Sequence, residues 1–213
     1  MTRQPLEQSA KDARSDDRRE QILDAALRVF ADVGFAHATT KAIAAAAELR
    51  SPTLIYWYFP SKEDLLRAVF VRFGVVLQAT GENPPMDVPP EVALPFAARR
   101  ALAFFENEHT RCLYRLWMAE WPRLEKLGIS LEQGRPSKNV YTTAQAYLER
   151  QIELGTLRPH DTKAAARAFV ALVWSQVEAR HLFPSIYPTA LDNDEYVERV
   201  IGLFIDGLRP RPH

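Results

Sequence analysis

Residues 39–66 read TTKAIAAAAELRSPTLIYWYFPSKEDLL, a run that contains three helix starts and two tight turns. Thr39 or Thr40 can cap a short helix over 41–47 whose inward residue is Ile43. Ser51-Pro52 is a second start. The serine oxygen accepts from a free amide of the first turn, and proline at the first helical position gives up an N–H that had no partner. The helix so opened, 52–59, is closed by Pro60-Ser61. Ser61 and Asp64 then cap a longer helix with Leu65, Leu66, Val69 and Phe73 on its inner face. On a 3.6-residue period Ile55 and Phe59 share a face that packs inward with Leu49, which turns Tyr56 and Trp57 outward.

Two short helices joined by about four residues have helix-turn-helix spacing. In such a unit the first helix crosses the DNA backbone and the second enters the major groove with its N-terminal residues forward. Here those residues are Arg50, Ser51, Pro52 and Thr53, short or forked side chains that reach base edges. The tyrosine hydroxyls and the Lys62 ammonium suit phosphate oxygens, which position a protein without reading sequence. Helix N-termini at Thr40 and Ser61 add amides and partial positive charge for two more phosphates. The aromatic run LIYWYF has two blander readings. A buried strand conflicts with the caps on both sides and with the lack of a partner strand. A core-only cluster leaves no room for Tyr56, Trp57 and Tyr58 together, because one face of so short a helix cannot bury all three.

Outward from this run, Ile22, Ala26, Val29, Phe30 and Val33 lie on one face of an earlier helix that Gly34 stops. Residues 1–16 are polar and mixed in charge and read as a loose tail, so the first domain spans 17–78. ATGENPPMDVPP, residues 79–90, cannot continue a helix and reads as a linker. Beyond it, 91–213 is helical throughout. One segment covers 91–108, and another starts at Thr110 and stops at Pro122. A third covers 136–154 and ends at Gly155, a fourth is capped by Asp161 and runs to Pro184, and the last opens with Asp192 and Glu195 and reaches Leu208. No stretch alternates with period two long enough to make a sheet, so the fold class is all-α.

The apolar content of 47% supports a packed core and excludes a disordered chain. The longest apolar run, 168–174, is far short of the roughly 20 residues that span a bilayer. The N-terminus lacks the apolar core of a secretory signal, and a lone cysteine, Cys112, leaves no intrachain disulfide; both fit the cytoplasm. Cys112 itself reads as a packed thiol. Lys and Arg equal Asp and Glu at 27 each, so bulk charge gives no support to nucleic-acid binding. Local placement must carry that case.

With these residues in place, RREQILDAALRVFADVGFAHATTKAIAAAAEL followed by LIYWYFPSKEDLL resembles the N-terminal domain of tetracycline-repressor (TetR) family regulators over 18–77. The resemblance implies a repressor that binds double-stranded operator DNA as a homodimer and is released by a small-molecule effector in its C-terminal helical domain. It implies that Thr40, Lys41, Tyr56, Tyr58 and Lys62 contact phosphate and that Arg50, Pro52, Thr53 and Trp57 face the groove. The sequence has no Gly-rich phosphate loop, Cys-x-x-Cys pair or Gly-x-Ser-x-Gly elbow, so no catalytic residue, cofactor or metal is expected. Two departures stand out. Glu48 occupies a turn position where the family usually has glycine. The link LRSP is one residue longer, and the departure falls at Arg50 and Ser51 among the base contacts.

GTLRPHD, residues 155–161, also resembles the link before the last two helices of that family, which pair with their twins in a four-helix interface. Phe169, Leu172, Gln176, Arg180, Val197, Val200, Phe204 and Leu208 lie at helical spacing on the corresponding segments, with filling of the chain's own core as the competing role. An effector pocket among the middle helices would draw on Phe104, Phe105, Trp117, Trp121, Tyr141, Tyr147, Phe169 and Trp174, and this aromatic supply points to a hydrophobic or planar ligand. Each of these also suits a core role.

A rival of another class rests on two Glu-x-x-His motifs, Glu106–His109 and Glu178–His181. A di-iron carboxylate bundle or a metal sensor could use them with Glu120 and Glu149. Both motifs fall at helix ends, where histidine can instead cap free carbonyls. The sequence therefore implies an all-α protein with an N-terminal three-helix helix-turn-helix domain and a C-terminal domain for ligand binding and dimerisation. The metal-binding bundle is the alternative.

Overall fold

The computed structural model describes residues 4–78, 85–129, 136–187 and 191–210, and among these the secondary structure is helix alone. The helices are α1 (Gln4–His37), α2 (Thr40–Ala46), α3 (Thr53–Tyr58), α4 (Lys62–Gln78), α5 (Pro90–Phe104), α6 (Glu108–Lys126), α7 (Pro136–Glu153), α8 (Thr162–Val177), α9 (Asn193–Tyr196) and α10 (Gly202–Leu208). Wider π turns, Glu178–Leu182 and Val197–Ile201, extend α8 and join α9 to α10. None of the described helices is long and apolar enough to cross a membrane.

The helices gather into two compact units. One holds α1–α4 together with α6; the other holds α5, α7, α8, α9 and α10. The core of the first unit is Ile22, Leu23, Leu27, Phe30, Ile43, Ile55, Leu65, Leu66, Leu113 and Leu116, all fully buried or nearly so. In the second unit α7 packs on α8, and α5 packs on α8, α9, the second π turn and α10. The expected linker lies partly outside the described residues, at 79–84. Its remainder, Met86 to Val88, is held to α7 by Gln151, whose Nε2 donates to Met86 O (2.6 Å), and by the Tyr147 hydroxyl, which donates to Val88 O (2.7 Å).

Local signals read from the sequence recur as caps. Thr39 Oγ1 accepts from Ala42 N (3.1 Å), Asp161 Oδ1 from Ala164 N (2.9 Å) and Asp192 Oδ1 from Glu195 N (2.8 Å). Ser61 Oγ accepts from Asp64 N (3.0 Å) while its hydroxyl donates to the Asp64 carboxylate (2.6 Å). Gly34, at φ 77°, breaks the helical path of α1 as expected.

Four expectations need correction. Where a loose tail was expected over 1–16, the described part, from Gln4, belongs to α1, because Ala, Gln, Glu, Lys and Arg favour helix even without an apolar stripe. Thr110 does not cap α6 but is buried inside it, and Pro122 does not end that helix. Pro122 is exposed and so is Met118 one turn earlier, so the carbonyl that loses its amide partner lies on the solvent side. The helix ends instead at Lys126, just before the left-handed Gly128. Val33 is half-exposed and does not join the inner stripe of α1.

Three helix ends share one geometry. After α6, Gly128 N donates to Glu125 O and Ile129 N to Leu124 O; after α7, Gly155 N donates to Ile152 O and Thr156 N to Gln151 O. After α2, Glu48 N donates to Ala45 O (3.1 Å) and Leu49 N to Ala44 O (2.8 Å). This is the Schellman arrangement, whose turn residue must be left-handed. The two glycines adopt φ 60° and 73°; Glu48 adopts φ 51° with a Cβ to accommodate. We expect Glu48→Gly to raise unfolding free energy by about 0.5–1 kcal/mol, the relief of left-handed strain less the added freedom of the unfolded chain. Urea denaturation measures it, and a loss of stability would show that Glu48 is not strained there.

Candidate nucleic-acid interface

The α2–α3 pair is oriented by a short chain of contacts that begins at Phe35. Its ring is buried beside Phe30 at a centroid distance of 5.3 Å. Its amide donates to Glu120 Oε1 on α6 (3.0 Å), and its carbonyl accepts from Lys62 Nζ on α4 (2.8 Å). The same ammonium also donates to Ala38 O (2.9 Å) and lies 4.5 Å from the Phe35 ring centroid. Arg123, 4.7 Å from that centroid, is paired with Glu120 at 2.9 Å. The turn that delivers the chain into α2 is thus held by charged groups from two other helices. Sequence reasoning weighed Glu120 only as a metal ligand and did not find this grip, because it joins residues 85 positions apart.

Downstream, Ser51 Oγ accepts from Thr53 N (3.2 Å) and Phe59 N closes α3 on Ile55 O (2.9 Å). Ile55 and Phe59 are buried as the helical period requires, with the Arg19 guanidinium 5.2 Å from the Phe59 ring. The opposite face of α3 is open. Trp57 is 83% exposed, Tyr56 50% and Leu54 39%; Arg50, Pro52 and Thr53 are exposed and Ser51 and Tyr58 half-buried. Leu54 was not among the expected groove residues, although its place directly before inward-facing Ile55 already put it outside the buried stripe.

On the flanks, Lys41 is exposed and Thr40 half-buried. Lys62 differs in kind from the others. An ammonium has three N–H groups, and two of these go to main-chain carbonyls. We expect Lys62→Met to lower stability by about 1.5–3 kcal/mol, the range for hydrogen bonds to a charged group, as well as to weaken DNA binding. Unchanged stability, with only a salt slope reduced by about one, would show that Lys62 serves phosphate alone.

The other expected sites are dispersed. Phe104, Phe105 and Trp174 meet in the second unit, with centroids 5.7 Å apart for the first pair and 5.0 Å for Phe105–Trp174. Tyr141 is exposed on α7, and Phe169 lies 5.9 Å from Phe204. Trp117 and Trp121 stack edge-on at 5.7 Å within the first unit, and the Trp117 indole N–H is buried without an acceptor. Tyr147, its hydroxyl bonded to Val88 O, has its pKa pushed up by burial and by the Glu91 charge. Cys112 is a buried free thiol.

Of the residues expected to meet a twin chain, Phe169, Gln176, Val197 and Leu208 are buried within their own unit. Gln176 Nε2 donates to Leu191 O (2.8 Å) and is not presented outward. Leu172, Val200 and Phe204 are half-exposed, Arg180 is exposed, and Leu203, not foreseen, is 72% exposed. Periodicity defines faces but does not say which face meets the chain's own α5.

The metal-binding alternative has no support. His109 stacks on Phe73 and lies 3.5 Å from Asp24 in the first unit, whereas His181 lies 3.6 Å from Glu106 in the second. Glu120 serves Phe35 and Glu149 accepts from Gln145 and Thr162. Among the described residues no group of three or more His, Cys, Asp or Glu side chains is placed to hold a metal ion.

A helix-turn-helix with an exposed second helix defines a DNA-binding class. Residues 22–69 match the model for bacterial regulatory proteins of the tetR family, and residues 93–207 match that for the C-terminal domain of AefR-like transcriptional repressors. The chain therefore belongs to the TetR family of DNA-binding transcriptional regulators. It is 38% identical over 69 residues to the HTH-type transcriptional repressor KstR of Rhodococcus jostii, a match spanning 32% of this chain and 32% of that relative. A tetR-family regulatory protein from Rhodococcus RHA1 shares its fold at TM-score 0.69 and 24% identity, over 92% of this chain and 98% of the other. The ketosteroid regulator KstR2 of Mycobacterium tuberculosis does so at TM-score 0.65 and 18% identity, over 91% and 96%.

Proposed function

We propose that the chain acts in the cytoplasm as a homodimeric repressor, binding a pseudo-palindromic operator and leaving it when a small hydrophobic or aromatic effector binds. The observation that carries this reading is the open face of α3, with Trp57 83% exposed on a helix whose other face is anchored in the core. Repression, as against activation, is supported by the AefR-like repressor model over 93–207 and by the likeness of the N-terminal third to the repressor KstR. In this reading 17–78 form the DNA-binding domain, 79–90 the linker and 91–213 the effector and dimerisation domain. Arg50, Ser51, Pro52, Thr53 and Trp57 face the groove. Thr40, Lys41, Tyr56 and Tyr58 hold phosphates, and the third N–H of Lys62 is free to join them.

Effector release is a population shift between two arrangements of the dimer, only one of which sets both α3 helices in successive major grooves. The grip of Glu120 and Arg123 on Phe35 supports α6 as the element that reports to the head, since any arrangement that moves α6 must move or break that grip. Trp117, on the same helix, holds a buried indole N–H without an acceptor, a natural handle for an effector oxygen.

Selection from random duplexes tests the reading. The expected result is an enriched pseudo-palindrome whose half-site centres lie one helical turn, about 34–36 Å, or a multiple apart. Recovery of no enriched sequence would leave only a ligand-binding helical protein with an inactive head.

A further inference from the structure

Direct reading of bases follows a simple inventory. Adenine is recognised by the paired donor and acceptor of Asn or Gln, cytosine by a carboxylate, guanine by the forked donors of Arg, and thymine by apolar contact with its C5-methyl. Residues 49–60 contain no Asn, Gln, Asp or Glu. The outward face of α3 therefore holds neither the amides that select adenine nor the carboxylates that select cytosine. It presents Thr53, Leu54 and Trp57 instead, with Arg50 as the one forked cation before it. Leu54 and Trp57 are three residues apart, hence neighbours on one helical face, while Thr53 and Trp57 are four apart. Thr53 adds a methyl beside its hydroxyl.

We propose that this face reads its operator chiefly through thymine C5-methyl groups, with Leu54 and Trp57 as the specificity-determining residues. The proposal rests on the α3 face being the DNA-reading surface. An exposed leucine and an indole this open gain by covering methyls in the major groove, where apolar area on both partners leaves water. Phosphate contacts from the flanks position the helix but cannot produce this preference. The half-site is therefore rich in thymine, on either strand, over the base pairs beneath Leu54 and Trp57, with guanine admitted where Arg50 reaches.

The test uses the full-length protein and the duplex recovered by selection from random DNA, resynthesised with deoxyuridine in place of thymidine. Uracil keeps every hydrogen-bonding group and lacks only the methyl. Affinity should fall about fourfold for each contacted methyl, and the gap between thymine and uracil duplexes should narrow in Leu54→Ala and Trp57→Ala. Both side chains are exposed, so the variants keep the fold, and retention of binding to mixed-sequence DNA at low salt checks this. Equal affinity for the two duplexes overturns the proposal. So does a gap that persists unchanged in both variants, because the methyls then act through DNA shape and not through these side chains. If selection recovers no duplex at all, it is the underlying DNA-reading assignment that fails.

Discussion

The position of α3, the exposed second helix of the helix-turn-helix, depends on how the peptide of Phe35 is held. Gly34 turns the chain out of α1 in a left-handed conformation, and the next residue is fixed on every side. Its amide is bound by a carboxylate, its carbonyl by an ammonium, and its ring packs in the core with a guanidinium and that ammonium near its centroid. Charge-assisted bonds of this kind are about twice as strong as neutral ones, and partial burial strengthens them further. Because Lys62 also binds Ala38 O, the whole α1–α2 turn is tied to the first residue of α4. Where α2 goes, α3 follows, through a Schellman turn closed at the left-handed Glu48.

That arrangement separates two demands that a DNA-binding head must meet. The inner faces need rigidity, and Ile43, Ile55, Phe59 and Leu65 provide it by full burial. The outer face of α3 needs chemistry that water does not saturate. It carries no amide or carboxylate side chain and exposes Leu54 and Trp57, so the proposed reading gives it methyl contact as its main resource and leaves charge to the flanking positions. Zero net charge over the chain agrees with a head that gains little from bulk attraction and relies on placed contacts.

Local rules made much of this legible. Caps at Thr39, Ser61, Asp161 and Asp192, and the left-handed breaks at Gly34 and Gly155, depend on residues a few positions apart, and each is present where its residue types predict it. The outward turn of Tyr56 and Trp57 followed from the helical period alone. What escaped was non-local. Pro122 reads as a stop, but an exposed proline is tolerated when the orphaned carbonyl faces water, and Gly128 ends the helix instead. The grip of Glu120 on Phe35 joins distant segments, and no pattern on either helix announces it. The same limit applies to Gln176 and Val197, whose spacing suits an outer face yet which are buried against their own unit.

Photocrosslinking from position 57 tests the central claim most directly. With Trp57 replaced by the photoreactive residue p-benzoylphenylalanine in the full-length protein, irradiation on the selected duplex should join the chain to bases at two positions related by the operator's symmetry. Crosslinks confined to the sugar–phosphate backbone, or none at all, would contradict the assignment of α3 as the helix that reads the groove.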